Sequence, residues 1–319
     1  MFFTPEIVIS LLIDTLSLLL LAIAFVVAVR ILLWFDYGSD TPRQYALERQ
    51  SYLASTIVAF VLAVKISAIF YFIYTLNRLS LVIPGAMCAA GVVTANEYGV
   101  WLFMLKIVNI YLFGLWLVLH IADLHTPNYH YTRAKFAFFL LIFILVLLEF
   151  VLELLYFGHL DISQVVSCCG TLFNRAAHSP LALVAAIDPK VIAGAFYALY
   201  AALLVAALAK KEWLFSLLSL LFLPVATVAL IFFFSPYIYE LPTHHCPFCI
   251  LQPEYHYIGY LLYALLFIGT FLGIASAFWP KWMKKPLNLW IPFGFDTLFV
   301  GIVSFYVLYY YYQNHVWLL

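Results

Sequence analysis

The stretch Leu241–His256, LPTHHCPFCILQPEYH, gathers two cysteines and three histidines between two long apolar runs. Cys246 and Cys249 form a C-x-x-C, a spacing that serves dithiol chemistry and metal binding alike. In the redox reading, a helix beginning near Pro247 sets its positive end against Cys246 and raises its thiolate fraction. Proline suits that first helical position, where its missing N–H would go unused. Cys246 is then expected to be the more exposed and more acidic thiol, with His244 or His245 as its base. Cys88, Cys168 and Cys169 are the further catalytic thiols available for exchange. In the metal reading, His244, His245, Cys246 and Cys249 make a tetrahedral zinc set, or the thiols with Met87 hold Cu(I). His159, His178 and His256 are additional candidate ligands. In a third reading the cysteines only staple external loops.

A second set of residues stands inside apolar runs, where ionisable groups are costly. Asp14, Lys106, Glu149 and Glu153 fall in such runs, and Glu149 and Glu153, four residues apart, share a helix face. Two uses are open: a buried ion pair holding a bundle, or a proton or ion relay. Lys65 and Asp296 also fall inside runs, and the sequence gives neither a partner.

The elements that must position these groups follow from composition. Hydrophobic residues are 67% of the 319, charged residues 9%, and mean hydropathy is +1.06. That composition predicts an all-α, polytopic integral membrane protein, its direct partner the lipid bilayer. Equal numbers of basic and acidic residues, 15 each, give no reason to expect a nucleic-acid partner. Runs long enough to span are Ile7–Leu33, Tyr52–Leu76, Val100–Ile121, Phe136–Phe157, Val191–Ala209, Leu214–Phe234, Ile258–Trp279 and Ile291–Tyr312. The first has no preceding Lys or Arg and reads as a retained helix rather than a signal peptide. Odd-numbered loops hold ten basic residues and even-numbered loops three. The positive-inside rule then sets both termini and every cysteine on the outer, periplasmic side of a cell (inner) membrane.

The second and sixth loops resemble one another. Ile83-Pro-Gly-Ala-Met-Cys88 parallels Leu241-Pro-Thr-His-His-Cys246, and Glu97-Tyr98 and Glu254-Tyr255 follow the two cysteines. This predicts an internal repeat of two parallel four-helix halves, 1–157 and 191–319, joined by an outer loop, 158–190, carrying Cys168 and Cys169. Repeats of that kind commonly build sites at their interface.

Cys-Pro-Phe-Cys resembles the active-site tetrapeptide of glutaredoxins, although no βαβ pattern surrounds it. The order of the cysteines resembles the C…CCG…CxxC of heterodisulfide reductase subunits. Four-helix halves with external cysteines are similar in architecture to quinone-coupled membrane enzymes that generate disulfides. The leading expectation is therefore a membrane thiol–disulfide oxidoreductase or electron conduit with a redox-active CPFC centre. Quinone or a metal ion is its possible cofactor, and a periplasmic thiol protein or membrane complex subunits its partners. Metal binding or translocation at the Cys/His cluster is the alternative, and a structural subunit with loop disulfides the second. Composition does not decide whether the chain is an enzyme.

Overall fold

In a computed structural model the described residues are 4–37, 39, 41–86, 88–126, 130–161, 187–283 and 287–319. Among them every regular element is helical, and eight helices are long and apolar enough to cross a bilayer. The chain divides into two compact units, Met1–Val166 and Ser167–Leu319. Met87, Cys168, Cys169 and His178 lie outside the described residues.

The first unit contains α1 (Pro5–Trp34), α2 (Pro42–Leu79), the short α3 (Ala89–Val93), α4 (Glu97–Leu124) and α5 (Thr132–Gly158). Pro5 and Pro42 occupy first-turn positions that need no N–H. Thr41 and Asn96 cap α2 and α4 by accepting from Gln44 N and Tyr98 N. α2 starts ten residues before the apolar run at Tyr52, because the polar segment from Pro42 is helical yet invisible to hydropathy. The turn from α4 to α5 is clasped by buried Asp123. Its Oδ1 accepts from Tyr131 N, and its Oδ2 accepts from Thr132 Oγ1 and Lys135 Nζ.

The buried positions of α1 are Ile7, Ser10, Asp14, Ser17, Leu21, Ala24, Ala28 and Ile31. Steps of three and four draw one seam of period 3.5, the pattern of left-handed bundles. Leu12, Leu16, Leu19, Ile23 and Val26 point outward and are more than half exposed. Such an outside suits lipid, and the seam holds the polar residues. α1 packs against α2 and α5, α4 against α5, and α2 more lightly against α4, closing a ring. One end of the shared seam is apolar, with Leu21, Ala24, Phe113, Trp116, Phe139 and Val146 in one cluster. The other end holds Asp14, Lys65, Lys106, Glu149 and Glu153.

The second unit contains α6 (Pro189–Leu208), α7 (Glu212–Tyr239), α8 (Ile258–Ala275), the five-residue α9 (Trp279–Met283) and α10 (Trp290–Asn314). α6 packs on α7, α7 on α8, and α8 on α10. Phe196 meets Phe222, Phe234 and Phe299 at centroid separations of 5.4, 5.1 and 6.2 Å, and all four rings are fully buried. On α8 the seam residues Gly259, Gly269 and Gly273 admit close approach. A Cβ there would collide with Ile250, Asp296 and Ser219 respectively. α7 widens into a π turn at Leu230–Phe234, where Ser235 N donates to Leu230 O.

Candidate functional site

Two groups of chemistry-bearing residues emerge, one in each unit. In the first unit α1, α2, α4 and α5 bring five ionisable side chains into contact. Lys106 Nζ donates to Asp14 Oδ2 at 2.8 Å, Glu149 Oε1 at 3.0 Å and Glu153 Oε2 at 2.7 Å. Lys65 Nζ donates to Asp14 Oδ1 at 2.7 Å and Glu149 Oε1 at 2.8 Å. Ser10 Oγ donates to Glu153 Oε1 and Asn109 Nδ2 to Glu149 Oε2. Every carboxylate oxygen thus receives a donor, which burial of charge requires. Lys106, offered by the sequence as a counter-charge to one of Glu149 and Glu153, meets both of them and Asp14 as well. Lys65 joins them from α2, 51 and 84 residues away from its two partners.

In the second unit the C-x-x-C lies in the connection from α7 to α8. Glu240, at φ 56°, ends α7, and His256 and Tyr257, at 54° and 55°, lead into α8. Three non-glycine residues in the left-handed region mark a backbone held by its surroundings. Tyr239 Oη donates to Cys246 O and Tyr263 Oη to Pro247 O, pinning the loop from both flanking helices. The thiols of Cys246 and Cys249 approach within 4.8 Å. The ring of His244 stands edge-on to Tyr239 at 4.4 Å. His245 Nδ1 lies 3.2 Å from Ile231 O, so that nitrogen carries the hydrogen. Ile231 O is the next acceptor in the π turn, and its i+5 residue is Pro236, which has no N–H to give. Burial pushes the His245 imidazole below its ordinary range, with His244 adding to the shift and the Ile231 carbonyl opposing it. The ring is neutral at pH 7, and with Nδ1 protonated its Nε2 bears the lone pair.

Several expectations are corrected here. Cys88, Cys246 and Cys249 are buried, 2, 0 and 7% exposed, and none of them is in a disulfide. A redox dithiol must present a sulfur to an incoming partner, so the thiol–disulfide oxidoreductase and the redox-active CPFC centre are overturned. Burial likewise overturns the picture of catalytic thiols on an outer, periplasmic face. Asp14, Lys106, Glu149 and Glu153 are equally inside their unit, each at most 6% exposed. Cys246 is the less exposed thiol of the pair rather than the more exposed. No helix begins at Pro247; a turn leads to a 3-10 helix, Cys249–Leu251. Proline fixes one dihedral there, while the tyrosine bonds to the carbonyls of Cys246 and Pro247 direct the chain away from α-helix. Cys88 precedes α3 in the first unit, where Tyr156 Oη donates to Val92 O.

Comparison with protein-family models, with curated sequences and with solved structures finds no match to this chain.

Proposed function

We propose that the chain is a multi-pass membrane protein that binds a thiophilic metal ion, Zn2+ or Cu+, through Cys246 and Cys249. One observation carries the reading: two buried, unbridged thiols lie within 4.8 Å on a loop fixed by Tyr239 and Tyr263. Two thiolates joined to one tetrahedral zinc stand about 3.8 Å apart, since each Zn–S bond is about 2.3 Å. Charge supports the divalent ion, because two thiolates neutralise Zn2+ and a neutral complex is the cheapest to bury. His244 and His245, adjacent to Cys246 in the chain, are the proposed further ligands, their rings turning toward the ion when it binds. Binding deprotonates the thiols, so affinity should rise with pH.

The parallel between Ile83–Cys88 and Leu241–Cys246 supports an added element of this proposal, that the two four-helix units descend from one duplicated half.

Metal content tests the reading. Protein purified in detergent under reducing, chelator-free conditions should hold about one Zn or Cu per chain, measured by mass spectrometry of the digested sample. The C246S/C249S double variant should hold almost none. Wild-type protein that stays metal-free after growth in zinc- and copper-supplemented medium would end the proposal.

A further inference from the structure

The ion network of the first unit is unbalanced. Asp14, Glu149 and Glu153 supply three carboxylates, whose oxygens lie within 4.8 Å of one another, against the two ammoniums of Lys65 and Lys106. With every group ionised the cluster carries one uncompensated negative charge, which a bilayer interior does not tolerate. One positive charge must join it.

The site shows where. A small cavity adjoins the network, lined by Lys65, Lys106, Asn109 and Glu149 along with apolar side chains. Asn109 is 1% exposed and its Oδ1 has no hydrogen-bond partner, although its Nδ2 is bonded to Glu149. A buried acceptor without a donor calls for a small hydrogen-bearing ligand, and a space with two ammoniums on its wall repels a metal cation. Neutral water meets both conditions, and the balancing positive charge is then a proton held on one of the carboxyl groups.

The three carboxylates are not equivalent. Asp14 and Glu149 each touch two ammoniums. Glu153 touches Lys106 alone, and its other oxygen meets the Ser10 hydroxyl, which can donate or accept. The groups facing Glu153 are thus Asp14 and Ser10 from α1, Lys106 from α4 and Glu149 from its own helix, with Lys65 of α2 beyond Asp14. We propose that this network is a membrane-embedded proton-binding site, with one proton held on Glu153 and exchanged through water at Asn109. On loading, an O–H bond of a protonated water breaks, an O–H bond forms at Glu153, and water is left. The network passes from one net negative charge to none.

Infrared spectroscopy of the purified, reconstituted protein reads this directly, because a protonated carboxyl has a C=O stretch that carboxylates lack. The parent is D296N, so that the buried Asp296 carboxyl adds no band. We expect one protonated-carboxyl band that shifts on transfer to D2O, vanishes in E153Q and persists in E149Q. Removing the Ser10 hydroxyl with S10A should move the same band to higher frequency, a readout that stands even if E153Q folds poorly. A band that survives E153Q, or that ignores S10A, overturns the assignment to Glu153. Absence of any such band in the parent, with thermal stability that depends on sodium or potassium, would show that a metal cation balances the network instead. A band that does not move in D2O would show a sealed structural proton and overturn the exchange.

Discussion

Along the first unit, α1, α2, α4 and α5 meet at Asp14, Lys65, Lys106, Glu149 and Glu153, whereas α6, α7 and α10 of the second meet at four phenylalanine rings. On α1 and α10 alike the buried residues return at helical spacing to one face, so the difference lies in what fills the seams. In lipid the apolar filling gains little from leaving solvent and is held by close packing, which the α8 glycines permit. The ionic filling is held by a fixed stoichiometry of donors and acceptors, and each member is needed by several others. Among its described residues the second unit has one buried carboxyl group, Asp296, whose two oxygens lack hydrogen-bond partners. That comparison separates ionisable groups built into a network from one set alone beside Gly269 of α8.

Removing Lys106 is the harshest test of the difference. K106M strips a donor from three carboxylates at once and should destabilise by about 3–5 kcal/mol, the usual cost of breaking a buried ion pair. Thermal unfolding in detergent reads it; a melting temperature near wild type would mean that the network does not hold the first unit. D296N in the second unit should cost less than about 1 kcal/mol, since it removes no bonded partner. A large loss there would reveal a contact that Asp296 makes and that the comparison overlooks. The smallest effect concerns His245. Its ring takes up a proton in the folded loop only below the ordinary value of about 6.5. Stability from this group is therefore complete above about pH 6.5 and declines as the pH falls below it. H245N keeps a donor for Ile231 O and removes the titration, so its melting temperature should fall less between neutral and mildly acidic pH. Equal falls in both proteins would remove His245 as the cause.

Much of the helical plan is legible in the sequence, because runs such as Ile7–Leu33 and Ile291–Tyr312 are both long and apolar. Helix ends are less so. The polar turns Pro42–Ser51 of α2 look like loop to any measure of hydropathy, yet they continue the helix. The acidic pair Glu149 and Glu153 stands out by its four-residue spacing, and Lys106 follows from the need for a counter-charge. Lys65 does not, since nothing local in the sequence reports which helices will face one another. The burial of the cysteine loop is illegible for a related reason. Density of polar residues suggests an exposed segment, but aromatic neighbours at Tyr239, Tyr255 and Tyr263 fold it inward, and two hydroxyls satisfy its carbonyls.

The π turn at Leu230–Phe234 has a consequence for helical phase. Such a turn is an α-helix with one residue added, and one residue advances an α-helix by about 100°. Everything beyond it in α7 is therefore turned by that angle relative to a regular continuation from Ala229. Tyr239, whose hydroxyl reaches the Cys246 carbonyl, is aimed by this added step. Deleting any one residue from 230–234 would keep the helix and its hydropathy almost unchanged. It would also return the segment to α phase, swing Tyr239 off the loop and remove the π-turn carbonyl that His245 engages. The position of the thiol pair is in this sense encoded by a count of residues in the preceding helix rather than by the residues of the loop.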